Sequence, residues 1–143
     1  MVDVVSVEKR SAMMANIKNR NTRPEIKVRK HLHRLGYRYR LDTKIFGFKP
    51  DVVLSVHKTA IFVHGCFWHR HQGCKLASTP KSREGFWQKK FESNVSRDRR
   101  NLEYLAKQGW CHIVIWECAV RNGKFQDFDF AAAIAAGGFY EIG

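Results

Sequence analysis

The sequence predicts an α/β fold in which a mixed sheet is flanked by helices. Two observations carry this. Short apolar runs of strand length, bounded by Gly, Pro, Asp or Lys, recur at Val52–Val56, Thr59–Val63 and Trp110–Cys118. Around them lie stretches with helical spacing, the longest from about Arg83 to Gln108. At 143 residues the chain has room for one buried core and is expected to form one domain.

Residues from Val7 to Asn19 carry a weak helical pattern. Thr22, with Glu25 three residues on and Pro24 in the first turn, is a capping-box signature, and the helix it opens runs to about Leu35, where Gly36 can end it. Tyr37–Leu41 alternates like a strand, and "DTKIFGFKP" reads as a loop. Val52–Val56 and Thr59–Val63 then form an antiparallel hairpin. With His57-Lys58 as a two-residue loop, Val56 pairs with Thr59 and Asp51 falls opposite His64. The long helix, interrupted at most once, carries Phe91, Val95, Leu102 and Leu105 on one face and ends at Gly109. Trp110–Cys118 is a strand rich in Ile, Val and Trp, and "DFDFAAAIAA" is a last helix capped by Asp127 or Asp129. The expected order is α-α-β-β-β-α-β-α. No repeat, linker or low-complexity tract interrupts it.

The charge is unusual. Lys plus Arg number 26 against 13 Asp plus Glu, a net +13, with a pI near 10.0. Such a surface favours a polyanion, because neutralising phosphates releases condensed counterions. Nucleic acid ranks ahead of an anionic lipid surface: no apolar run approaches the ~18 residues of a membrane span, and no hydrophobic signal segment opens the chain. Without a secretory signal, the four cysteines are expected to bind metal or pack as thiols rather than form disulfides, and the chain reads as cytosolic.

One stretch, "FVHGCFWHRHQGC" (Phe62–Cys74), concentrates the chemistry. Cys66, His71 and Cys74 form C-x4-H-x2-C within one loop, and Cys118 at a strand end is the natural fourth ligand for a tetrahedral, structural zinc. Cys111, mid-strand, is expected to pack as a small hydrophobe. Asp51 facing His64 across the hairpin suits a hydrolytic magnesium site, with carboxylate and main-chain carbonyl holding the ion and imidazole handling the proton. The same residues also fit a strand-ending Asp after Pro50 and a core histidine. Phe67 and Trp68 could stack on bases or form the loop's own small core, and Phe86-Trp87 pose the same choice.

"FKPDVVL", "AIFVHGCFWHRHQGC", "FWQKKFESNVSRDRRNLEYLAKQGW" and "VIWECA" together resemble the very short patch repair (Vsr) endonucleases, and "RSAMMANIKNRNTRPE" is similar to their N-terminal segment. The likeness spans roughly residues 8–122, with "HGCFWH" and "NVxRDRR" in the expected order. It implies a restriction-endonuclease-like fold, a variant of the PD-(D/E)xK class carrying a structural zinc. It implies a DNA-contacting segment over 1–21 and a catalytic core over 22–122; the C-terminal helix or tail over 123–143 carries no motif of the family. The implied substrate is double-stranded DNA with a T:G mismatch left by 5-methylcytosine deamination, nicked 5′ to the thymine.

By matching position, the resemblance gives Asp51 and the Val63 carbonyl to Mg2+, His69 the role of general base and His64 an assisting role at the phosphate. Cys66, His71, Cys74 and Cys118 hold Zn2+; Phe67, Trp68 and Trp87 are the inserted rings; Lys90 and Asn94 contact target bases. Glu25 aligns with an acidic residue near the catalytic centre, although its cap role also explains it. Familiar members carry Thr at Val63, which matters only if a hydroxyl is needed, and lack the residue Gly73, which adds slack to the zinc loop. The implied setting is bacterial cytoplasm and nucleoid DNA, with downstream repair proteins as partners and a monomer sufficient to cut one strand. Two other readings fit much of the same sequence: a zinc-stabilised DNA-binding module without activity, and a restriction-type endonuclease.

Overall fold

The computed structural model describes residues 22–40 and 43–143. The elements are α1 (Arg23–Arg34), β1 (Val52–Leu54), β2 (Thr59–His64), α2 (Glu84–Lys107), β3 (Cys111–Trp116), α3 (Glu117–Arg121), α4 (Phe130–Ala136) and β4 (Phe139–Ile142). The helix expected at Val7–Asn19 lies outside the described residues. The four strands form one mixed sheet in the order β1-β2-β3-β4, with β1 antiparallel to β2 and the other pairs parallel. Each parallel pair needs a crossover, supplied by α2 between β2 and β3, and by α3 and α4 between β3 and β4.

Helices on both faces explain why β2 and β3 are buried along their whole length. On one face, Ile61, Val63, Ile113 and Ile115 pack with Val28 and Leu32 of α1 and with Phe125, Phe130 and Ile134. On the other, Ala60, Phe62, Val114 and Trp116 pack with Leu105 of α2. The alternation along each strand thus sorts side chains into two cores. Cys111 is buried, its thiol 3.7 Å from the Ala133 carbonyl, as expected of a packed thiol.

Both expected helix caps form. The Glu25 N–H donates to Thr22 Oγ1 at 3.4 Å, and the Ala132 N–H donates to Asp129 Oδ1 at 3.0 Å. Other expectations need correction. In the run expected as a strand over Tyr37–Leu41, the described residues Tyr37–Arg40 do not build one: only Arg40 bridges, to Val53, while Tyr37 and Tyr39 turn into the core. The long helix, expected with at most one break, has none over its 24 residues. The strand expected over Trp110–Cys118 stops at Trp116 as β3, so Glu117 and Cys118 open α3. β4 was not anticipated, because its four residues are too few to display a period.

The hairpin also differs. Ser55–His57 winds into a 3-10 turn and Lys58 adopts a left-handed conformation (φ 48°), so Leu54, rather than Val56, pairs with Thr59. Continued outward, this register sets Asp51 opposite Phe62 instead of His64. A slip of two residues keeps every side chain on its face, so Asp51 stays on the side of His64. Val56, freed from pairing, is 91% exposed at the tip.

These positions differ in what they contribute. Ile113→Ala, in the buried centre of β3, is expected to lower the unfolding free energy by about 2–5 kcal/mol, whereas Val56→Ser should change it by less than about 0.5 kcal/mol. Chemical denaturation of both variants reads the difference, and equal losses would contradict this assignment of the core.

Candidate active site and metal centre

The C-terminal ends of β2 and β3 lie side by side, with His64 in register with Trp116. The loops leaving them converge, and two side-chain clusters form there. In the first, one ligand-type atom each from Cys66, His71, Cys74 and Cys118 lies within 4.8 Å of the others. His71 Nδ1 is 3.6 Å from Cys66 Sγ and 3.5 Å from Cys118 Sγ, and the Cys118 N–H donates to Cys66 Sγ at 3.4 Å. The cysteines are free thiols. Ligand edges in a tetrahedral zinc site are roughly 3.5–3.8 Å, so this donor set could hold a zinc ion after small adjustments. Burial pushes the Cys66 thiol up to about 12 and raises Cys118 as well, so a cation binding here must displace protons. Gly73, the additional loop residue, has φ 68° with open space around it, and Cys74 still reaches the cluster.

Arg70 holds this loop in shape. Its guanidinium donates to the carbonyls of Phe67, Ala77 and Ser78 and to Thr79 Oγ1, at 2.8–3.3 Å, and lies 4.2 Å from the centroid of the Phe91 ring. Burial lowers its pKa. Sequence reading missed it, since a lone Arg in a basic chain carries no signal.

The second cluster is His64, His69 and Asp98. His69 Nδ1 and Asp98 Oδ2 are 2.5 Å apart, and His64 Nε2 is 4.0 Å from Asp98 Oδ1. The two imidazoles stack at 4.0 Å and 4°. His64 is buried among Phe62, His69 and Trp116, and that burial, with the neighbouring His69 charge, lowers its pKa to about 3. It is therefore a neutral imidazole near neutrality. Asp98 was also missed, although one signal existed: it is an acid on the apolar stripe of α2, seven residues after Phe91 and four before Leu102.

Asp51 stands beside this cluster. The Val63 N–H donates to Asp51 Oδ2 at 2.6 Å. In an extended strand, N–H and C=O of one residue project to the same side, so the Val63 carbonyl faces the carboxylate as well. Burial pushes the Asp51 carboxyl up to about 7. The Val63 hydrogen bond and the Arg29 charge oppose this, and the Glu25 and Asp98 charges reinforce it. Glu25, the acid of the capping box, is itself buried, pairs with Arg29 at 3.1 Å and lies within electrostatic reach of the Asp51 carboxylate. An acid beside a main-chain carbonyl, with further acids nearby, suits a hard divalent cation.

Phe67, Trp68, Trp87 and Phe91 form one ring cluster with centroid separations of 5.2–5.9 Å. Trp87 is only 6% exposed and acts as packing in the free protein, whereas Phe86 is 45% exposed. Phe67 and Trp68 are half-buried. Lys90 Nζ lies 5.9 Å from the Trp68 ring and the Asn94 amide donates to the Trp68 carbonyl at 3.1 Å, so both residues anchor that loop from α2.

A mixed sheet flanked by helices thus carries acids and histidines gathered at the ends of its strands. The catalytic domain of the homing endonuclease I-Bth0305I shares the fold, with TM-score 0.52 and 22% identity over 75% of this chain and 89% of that one. Residues 2–75 match the family described as DNA mismatch endonuclease Vsr. The type II nicking enzyme V.XorIIP of Xanthomonas oryzae pv. oryzae is 45% identical over 122 residues, covering 85% of this chain and 89% of that protein. The DNA mismatch endonuclease Vsr of Escherichia coli (strain K12) is 38% identical over 122 residues, covering 85% of this chain and 78% of that protein. The chain belongs to the Vsr endonuclease family.

A carboxyl whose folded pKa lies above its unfolded value removes stability as pH rises between the two. For Asp51 the window runs from the usual 3.8 to about 7. With the free divalent cations removed, Asp51→Asn should therefore barely change the melting temperature below about pH 4. It should raise it progressively towards pH 7 and hold a constant gain above. A gain independent of pH would show that Asp51 does not titrate in this window.

Proposed function

We propose that this protein is a strand-specific DNA nicking endonuclease that cuts 5′ to the thymine of a T:G mismatch produced by deamination of 5-methylcytosine. The observation that supports this best is the convergence of Asp51, His64, His69 and Asp98 at one end of the sheet, directly beside the aromatic loop. The family assignment and the names of its relatives, a mismatch endonuclease and nicking enzymes, point the same way.

In this reading Asp51 and the Val63 carbonyl hold Mg2+. When bound, the ion neutralises charge at the scissile phosphate and helps generate the nucleophile. Asp98 accepts from one nitrogen of His69, which leaves the other free to take a proton from water as general base. His64, neutral and held by its ring contacts, donates a hydrogen bond to the phosphate. Cys66, His71, Cys74 and Cys118 hold a structural Zn2+ that fixes the loop carrying His69, Phe67 and Trp68. Glu25 acts on the site through its charge.

Phe67 and Trp68 enter the base stack at the mismatch, where a wobble pair is easier to unstack than a Watson–Crick pair, and Trp87 follows only if the ring cluster opens. Lys90 and Asn94, already against Trp68, are placed to meet the bases beside it. The basic surface holds the phosphate backbone. A monomer is sufficient for one cut, and cytoplasm is the setting; among the described residues no helix is long and apolar enough to cross a membrane.

The decisive experiment incubates protein and Mg2+ with end-labelled duplexes, T:G-mismatched in varied methyltransferase contexts or fully paired. A single nick confined to the mismatched strand is expected. Equal cutting of both duplexes would favour a restriction-type enzyme, and binding without cutting a zinc-stabilised DNA-binding module. Asp51→Ala should bind the mismatched duplex normally while nicking falls by about a thousandfold or more. Trp68→Ala should stay folded and lose about ten- to a hundredfold in preference for the mismatch, the worth of one stacked base. Unfolding of that variant would make Trp68 a core residue instead.

A further inference from the structure

Trp116 closes β3 between the two clusters, and its surroundings are specific. Its ring stacks on His71 at 4.2 Å and 10°, and meets His64 edge-on at 5.2 Å and 74°. The indole is 8% exposed, so its N–H needs an acceptor from the protein. That acceptor is Glu141 Oε2, at 2.7 Å, on β4. Pairing of β3 with β4 sets Glu141 in register with Val114, two residues before Trp116 on the same face of β3. A Cβ on Gly143 would lie 2.6 Å from Trp116 Cδ1 and 3.0 Å from the His71 ring, so the backbone after β4 presses on the same two rings.

We propose that Glu141 and Trp116 are a positioning pair: β4 fixes the indole through Glu141, and the indole sets the orientation of both His71 and His64. This rests on the reading of the Cys/His cluster as a metal centre. A hydrogen bond from a buried N–H to a carboxylate is charge-assisted and directional, which suits it to fixing a ring plane. A ring held in plane constrains an imidazole stacked on it, as outlying hydrogen bonds orient metal-ligating histidines. The last strand, remote from every motif of the chain, thereby belongs to the site.

The test compares zinc-loaded wild type with Glu141→Leu, Glu141→Gln, Trp116→Phe and the Glu141→Leu/Trp116→Phe double variant. Zinc release to a chromogenic chelator gives the first readout, and nicking kcat against KM for the duplex the second. Glu141→Leu and Trp116→Phe should each release zinc about tenfold faster, the worth of one hydrogen bond to a charged acceptor. Each should also lower kcat while leaving KM unchanged. Glu141→Gln, which keeps an acceptor oxygen, should restore most of both. The double variant should be no worse than either single, as expected for partners in one interaction. Additive effects, or folded variants with wild-type release and kcat, would overturn the pair, since a merely structural role would move only the melting temperature. A wild type that holds no zinc overturns the metal-centre reading and the His71 half of this inference together. Unchanged release from a zinc-loaded protein overturns the inference alone.

Discussion

Because β2 and β3 run parallel, in register from Thr59↔Cys111 to His64↔Trp116, both strands deliver their C-terminal ends to the same side of the sheet. Everything chemical in the protein follows from that pairing. Cys66 leaves β2 two residues after His64, and Cys118 leaves β3 two residues after Trp116, so distant cysteines become neighbours. The antiparallel β1 starts beside the end of β2, which is how Asp51 reaches the Val63 backbone. The α2 crossover that parallel pairing demands brings Asp98 back over the strand ends. Open sheets with parallel strands place ligands outside those carboxyl ends for the same geometric reason.

The site holds this arrangement against an electrostatic cost. Glu25 and His64 are buried and Asp51 and Asp98 partly so within one region, and Asp51 and His64 both show burial favouring their neutral forms. Such a cluster suits a protein that admits a cation at the moment of use, since the cation's charge offsets what desolvation took away. The surrounding frame supplies the rigidity, through the two cores on either face of the sheet and through Arg70, whose four hydrogen bonds close the loop. That loop is thus folded by protein contacts as well as by the clustering of its Cys66, His71 and Cys74 with Cys118.

Much of the architecture was legible because it follows local rules. Thr22, Asp129 and Gly109 mark ends of helices by cap and turn chemistry alone, and the apolar runs at Val52, Thr59 and Cys111 are strands too hydrophobic for anything but a doubly covered sheet. The four ligand-type residues were legible from spacing, because three of them share one short loop. What failed depended on geometry that spacing does not encode. The hairpin turn absorbed four residues instead of two, since Lys58 could take a left-handed conformation, and the register moved accordingly. Tyr37–Arg40 alternates but pairs only through the single bridge of Arg40 to Val53, while its tyrosine rings pack against the core. Asp98, Arg70 and Glu141 acquire their roles through contacts 7 to 29 residues distant in the chain, and only Asp98, an acid on an apolar helix stripe, left a local trace.

The hairpin tip around Val56 has a practical consequence. It stands at the far end of β2 from His64, a six-residue strand or about 20 Å away. The tip is exposed yet carried on a rigid sheet, so a fluorophore or spin label fixed there would share the tumbling of the whole molecule and leave the chemistry untouched. Its signal would report the docking of a duplex through slowed rotation, at a distance that keeps the probe out of both clusters. The separation that keeps the turn out of the chemistry makes it a handle for observing the encounter with substrate before any bond is broken.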